Sequence, residues 1–166
     1  MELKKESMQI LKEKSRAKSQ ITFDEDFNVP DAKPDAGRLI QNKGRIIMDD
    51  VRLTDGKGIL TGNLQVDILY VGEERGIVSS LTAKLPFEET LNLKDIINGD
   101  KMCLKWEIED LTIRLIHSRK LNIKALVTFC ATVDETEQIR LPVALDAEEV
   151  SVRKKTVRFL GLTVHK

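Results

Sequence analysis

Between Leu121 and Val133 the chain reads LNIKALVTFCATV, and every odd-numbered residue is apolar: Leu121, Ile123, Ala125, Val127, Phe129, Ala131 and Val133. Asn122, Lys124, Thr128 and Thr132 fall between them, with Leu126 and Cys130 among the polar set. A period of two over so long a run fits a strand with one face against a core, because successive strand side chains point to opposite sides. A helix would scatter the same residues around its circumference. The rest of the molecule must therefore supply a sheet for this strand and a second layer to cover its greasy face.

The same beat starts at residue 44. The stretch VRLTDGKGILTG holds Asp55-Gly56, a dipeptide suited to a type I′ turn, which needs positive φ at both central residues. A hairpin closed there predicts an apolar face pairing Val51 with Leu60, Ile47 with Leu64 and Arg45 with Val66. The other face would pair Asp50 with Thr61, Met48 with Asn63 and Ile46 with Gln65. The second strand continues through LQVDILYV to a turn at GEERG, and Ile77, Leu81, Ala83, Leu85 and Phe87 alternate on a third. Pro86 lacks an N–H and places that strand at an edge. LKDIINGD reads as one helical turn ended by Asn98-Gly99. Leu104, Trp106 and Ile108 then alternate on even positions and Leu111, Ile113 and Leu115 on odd ones. That phase slip at Glu109-Asp110 predicts a β-bulge.

The ends read differently. Residues 1–20 lack Gly and Pro, are rich in Lys and Glu, and predict a helix with a thin apolar stripe of Leu3, Met8, Ile10, Leu11 and Ala17. Residues 21–38 contain DEDFNVPDAKPDAG and predict an extended Asp/Pro-rich connector. Residues 39–146 form the β domain, and 147–166 hold additional strands or a linker. The fold expected is mainly β: a two-layer antiparallel sandwich of six to nine strands with an N-terminal α-helix packed on it or swapped to a neighbour. A partly open barrel is the alternative. The abrupt end on Lys166 predicts a longer parent chain.

Charge argues against a nucleic-acid binder, since 27 basic and 27 acidic residues cancel and few aromatic residues remain for base stacking. Local basic excess in MELKKESMQILKEKSRAKSQ and RKKTVR reads as solvated surface. Cys103 and Cys130 lie in alternating apolar runs without the close Cys/His pairs of a metal site, and are read as buried free thiols of a reducing compartment. Asp24, Glu25, Asp26, Asp31 and Asp35 lack the spacing of a calcium loop. The charged N-terminus has no signal core and no stretch is long and apolar enough to span a membrane, which predicts a cytoplasmic protein.

Catalytic templates fail on inventory. A Cys–His pair would need Cys103 or Cys130 beside His117 or His165, and both thiols lie in mid-strand. TDGKG lacks the strand–loop–helix setting of a phosphate loop and suits a hairpin better. Asp49-Asp50 and Glu88-Glu89 are neighbours that a strand sends to opposite faces. Trp106 sits in the Leu104-Trp106-Ile108 row and reads as core, though with Tyr70 and acidic loops it would also make a glycan groove. No enzyme is expected, and no catalytic, cofactor-binding or metal-binding residue is assigned.

Three stretches together, GILTGNLQVDILYVGEE, LPFEETLNL and HSRKLNIKALVTFCATV, resemble the SPOCS domain of firmicute spore-morphogenesis proteins, the family of SipL. The resemblance runs from residue 35 to about 135. The helix region and FDEDFNVPDAKPDAGRLI look like the leader before a first such domain. It implies a non-catalytic structural domain of a spore-envelope protein that makes protein–protein contacts at the forespore surface, on the mother-cell side. Relatives of this kind carry a C-terminal LysM module and contact a coat-basement ATPase. No LysM-like segment is seen here, so contact with cell wall or ATPase is assigned to no residue. Homo-oligomers through the N-terminal helix or edge strands are a further expectation, and a cell-wall glycan-binding module is the functional alternative. The family pattern is one of fold, and it carries over no partner-binding residue.

Overall fold

The computed structural model describes residues 2–74, 76–97, 99–146 and 153. Among them there is no helix. The described residues form six strands: β1 (Glu2–Asn28), β2 (Ala36–Thr54), β3 (Lys57–Gly72), β4 (Val78–Asn92), β5 (Met102–His117) and β6 (Lys120–Asp146). They form two antiparallel three-stranded sheets, ordered β1-β6-β5 and β2-β3-β4. Residues Leu11–Glu135 form one compact unit. A second takes in Met1–Ile10 and the chain from Thr136 onward, where residues 2–10 and 136–146 are strand with Leu3, Met8, Leu141 and Val143 exposed. The expected extra strands or linker at 147–166 lie outside the described residues, apart from Arg153.

The N-terminal helix expected over residues 1–20 is overturned: that segment is the first part of β1. The strand period was masked because its inward positions are small or polar. Ser15 is buried and accepts a 2.8 Å hydrogen bond from the Lys94 amide, Ala17 and Ile21 pack against the core, and Phe23 is buried within it. Helix propensity amounts to tenths of a kcal/mol per residue and yields to backbone pairing along β6. The helical turn expected at LKDIINGD is also absent. Its described residues form an irregular loop, with Asp95 and Gly99 at positive φ and the Ile97 amide donating to the Asp100 carboxylate at 2.8 Å.

Each sheet has a central strand that alternates. On β3 the even positions Leu60, Leu64, Val66, Ile68 and Tyr70 are buried, and on β6 the odd positions Leu121 through Val133 are buried without a break. The two rows share one core, joined by aromatic contacts. Phe87 of β4 lies 5.2 Å from Phe129 of β6 and 6.2 Å, edge-on, from Phe23 of β1. β2 leans on β5 where Gly44 faces the side chains of Ile108 and Leu111.

The β2–β3 hairpin closes on Asp55-Gly56, both at positive φ, with Val51 opposite Leu60 and Asp50 opposite Thr61 as expected. Beyond them the register departs from expectation. A bulge at Asp49 pairs Met48 with Gly62, Ile47 with Asn63, Ile46 with Leu64 and Arg45 with Gln65. One extra residue flips every later side chain, so Ile46 and Met48 turn inward and Ile47 turns out. Gly62 permits the bend: a Cβ there would stand 2.4 Å from the Ile47 carbonyl oxygen and 3.0 Å from the Phe87 ring. On β4, Leu81, Ala83, Leu85 and Phe87 are buried, Ile77 is exposed just before the strand, and Pro86 sits on an outer strand. The bulge expected near Glu109 is present, as a register shift between Ile108 and Asp110.

Two substitutions check this packing. Phe129→Ala should lower the unfolding free energy by about 3–5 kcal/mol in urea titration, the usual cost of emptying an enclosed aromatic site. Gly62→Ala should cost about 1–3 kcal/mol through overpacking against backbone. An unchanged urea midpoint for either would contradict the core described.

Candidate functional site

The densest array of polar contacts joins the Asp/Pro-rich segment to the β5–β6 hairpin. β1 ends at Asn28, and Val29 through Asp35 make a turn-rich link to β2. Prolines 30 and 34 keep this link out of the sheet, so its backbone groups need other partners. The hairpin supplies them. The Val29 amide donates to the Arg119 carbonyl at 2.9 Å and the Ala36 amide to the Ser118 carbonyl at 2.7 Å. Arg119 reaches back, donating to Asp35 at 2.7 Å, to Asp31 at 3.1 Å, and to the carbonyls of Val29 and Lys33, both at 3.1 Å. From β3, the enclosed Tyr70 donates its hydroxyl to the Pro34 carbonyl at 2.9 Å.

The pairing continues onto the strands. Lys120 meets Asp26 and Lys124 meets Asp24, each at 2.9 Å, and the Asn122 amide donates to both carboxylates, at 2.9 Å to Asp24 and 3.1 Å to Asp26. Asp24 is held below the usual carboxylate range, first by Asn122 and then by Lys124. Asp26 is held there first by Lys120 and then by Asn122. The Arg119 guanidinium is pushed above its already high value, chiefly by its hydrogen bond to Asp35. Four of the five carboxylates once weighed for calcium thus face cations or amides, and Glu25 is exposed. Among the described residues, no group of three or more His, Cys, Asp or Glu could hold a metal ion.

The other singled-out residues do not converge. His117 ends β5, with its Nδ1 accepting the Arg119 amide at 3.2 Å, whereas Cys130 lies far along β6 opposite Lys105. Cys103 is exposed and Cys130 half-buried, so the expectation of buried thiols is corrected: both project from the outer face of their sheet. His165 lies outside the described residues, as does RKKTVR apart from Arg153. Asp49 accepts from Asn63 at 2.7 Å, Asp50 pairs with Arg52 at 2.9 Å, and Glu89 accepts from Ser19 at 2.6 Å. On the outer face of β1-β6-β5, Thr128 donates to the Glu109 carboxylate at the bulge, and Gln20 donates to both.

Trp106 does not pack in the core as its row predicted. It is 45% exposed, on the outer strand β5, while Leu104 and Ile108 on either side of it pack inward. Tyr70 is fully enclosed, so the two rings cannot line one groove. Ile47 and Val51 are exposed on the other outer strand, β2. A hollow of about 320 Å³ over β2-β3-β4 is edged by Gln41, Asn42, Lys43, Asp67, Leu69, Ser80 and Thr82. Its one carboxylate, Asp67, is already taken by Thr82 at 2.7 Å, Gln65 at 3.2 Å and Arg45 at 3.3 Å.

Arg119 is the residue sequence reasoning passed over. The signal was there, in acidic FDEDFNVPDAKPD and basic SRKLNIK, but only the fold brings these segments together. Lysine cannot fork to four acceptors, so Arg119→Lys should lower the melting temperature, and Arg119→Ala more so. The depressed Asp24 and Asp26 contribute stability that is complete above the ordinary carboxylate range and lost as pH falls through their folded-state values. Asp24→Asn with Asp26→Asn should therefore flatten the acid limb of a melting-temperature profile. A profile unchanged from wild type would remove this pairing from the account of stability.

Residues 35–116 match the family model described as SipL, SPOCS domain, a span that holds β2 through β5. No curated protein and no solved structure matches the chain. The matched stretch contains the Asp55-Gly56 hairpin, the Pro86 edge strand and the Glu109 bulge. Over residues 35–116 the chain carries a SPOCS domain of the SipL family, a sporulation-related domain.

Proposed function

We propose that this chain is a non-catalytic assembly domain of a spore-envelope protein, making protein–protein contacts in coat morphogenesis. The observation that carries the reading is the exposure of Trp106, Ile47 and Val51 on outer strands. Exposed apolar side chains of this size, tryptophan above all, are the usual anchors of protein interfaces. The ionic groups of the Arg119 clasp are committed to one another, which leaves little polar chemistry for a substrate. Among the described residues no helix is long and apolar enough to cross a membrane. The proposed setting is the mother-cell side of the forespore surface, with a coat-basement ATPase as the proposed partner, as the family resemblance implies. Contacts between copies through outer strands are a further route, whereas the helix-swapped dimer has lost its basis.

The exposed tryptophan also keeps the glycan alternative testable. Trp106 is the single tryptophan in the chain, so its emission reports on its own surroundings. The isolated protein should emit red and be quenched by iodide. Self-association at rising protein concentration should shift the emission blue, and Trp106→Ala should weaken that association by about tenfold or more. A shift produced instead by N-acetylglucosamine oligomers would replace the assembly reading with carbohydrate binding. No response to either, with no self-association in ultracentrifugation, would remove Trp106 from any interface.

A further inference from the structure

The outer face of the β2-β3-β4 sheet carries a charge pattern that complements itself. Register sorts its side chains into rows that cross the three strands. Ile47, Asn63 and Pro86 form one row, and it holds no charge. Arg45, Gln65 and Lys84 form the next row toward the β3–β4 turn, with Lys43, Asp67 and Thr82 beyond it. On the other side of the uncharged row stand Asp50, Thr61 and Glu88, joined by Asp49 of the bulge, and then Arg52, Ile59 and Thr90. Leu64, Val66, Leu85 and Phe87, which alternate with these residues, are buried, so the rows face away from the core.

The two rows toward the β3–β4 turn hold three cations, Lys43, Arg45 and Lys84, against one carboxylate, Asp67. The two on the other side hold three carboxylates, Asp49, Asp50 and Glu88, against one cation, Arg52. Part of this charge is matched within the chain. Arg45 lies 3.3 Å from Asp67 and Arg52 2.9 Å from Asp50, and Asp49 accepts from Asn63. Lys84 and Glu88 are exposed and have no side-chain partner among the described residues. They stand on β4 with Pro86 midway between them, so the rise of an extended strand puts each about 7 Å from the uncharged row.

We propose that two copies of this chain pair through this face, sheet on sheet, about a two-fold axis that runs along the Ile47–Asn63–Pro86 row. Such a rotation lays the face onto itself and reverses the strand direction. Ile47, 40% exposed, and Pro86 then meet their own counterparts, as a contact of one patch with itself requires. Lys84 of each copy lies over Glu88 of the other, and Arg45 over Asp49 and Asp50, so each favourable contact occurs twice. Lys43 falls over Arg52, whose charge Asp50 already takes. A partner of one sign would match half of the face and be repelled by the rest, whereas a second copy matches both halves. A three-stranded face is small for a specific interface, so the pair is weak and responds to salt. The pairing gives the exposed Ile47 a partner and so rests on the assembly reading. Trp106 lies on the other sheet, and its contact would join such pairs into larger assemblies.

Sedimentation velocity over a rising concentration series should show the wild type in a monomer–dimer equilibrium that added salt weakens. Lys84→Glu and Glu88→Lys each set like charges together at both ends of the contact. Either alone should raise the dissociation constant by about tenfold or more, with the melting temperature by circular dichroism unchanged because both positions are exposed. Mixing the two variants should restore the dimer, since every 84–88 contact in the mixed pair again joins opposite charges. Trp106→Ala should remove species larger than the dimer and keep the dimer itself. A wild type that stays monomeric, single variants that pair as the wild type does, or a mixture that stays monomeric would each overturn the proposal. Loss of the dimer in Trp106→Ala but not in Lys84→Glu would also overturn it and leave the Trp106 contact standing. A dimer restored by mixing, with no change in tryptophan emission, would uphold it and remove Trp106 from the assembly.

Discussion

Two three-stranded sheets, each greasy on one face only, have to cover each other, and most of the structure follows from that requirement. A small sheet with one apolar face exposed to water has no independent stability. Here β3 and β6, the central strands, present Leu60, Leu64, Val66, Ile68 and Tyr70 on one side and Leu121 through Val133 on the other. Phe87, reaching from an outer strand to both Phe23 and Phe129, ties three strands from the two sheets at one point. With the inner faces committed to burial, almost all polar chemistry is driven outward.

On the outside that chemistry is spent locally. Asp24 and Asp26 are matched by Lys120, Lys124 and Asn122, and Asp31 and Asp35 by Arg119, whose fork also serves two carbonyls of a segment its prolines keep out of the sheet. A proline-broken link has backbone groups to satisfy, and a hairpin tip with its own free carbonyls and an arginine is a complementary partner. The acidic run and the basic run are two halves of one clasp between the N-terminal strand and the central strand β6. These carboxylates, which lack the spacing of a calcium loop, are structural once their partners are placed.

Bulges reset which side chains turn inward. The one at Asp49 leaves Ile47 facing solvent, and the one at Glu109 shifts the phase of β5; Val51 and Trp106, paired with the buried Leu60 and Phe129, stay partly exposed because they lie on outer strands. Outer strands of a sheet are both its weak point and its means of contact. Bulging and Pro86 limit uncontrolled pairing, while the apolar side chains remain available for a chosen partner.

The β6 alternation, the Asp55-Gly56 turn, the Pro86 edge and the slip at Glu109 were all legible in the sequence, because each is set by residues within a few positions of one another. Periodicity, turn chemistry and the missing proline N–H are local physics. Only the tertiary structure decided that residues 2–28 form a strand, that Asp49 shifts the β2 register, that Trp106 is left half-exposed on an outer strand, and that Arg119 holds the acidic link. Each of those outcomes depends on a partner distant in sequence. The β6 edge outweighed weak helix propensity, Gly62 gave room for a bulge opposite it, and opposite charges met because the sheets had already brought their strands together.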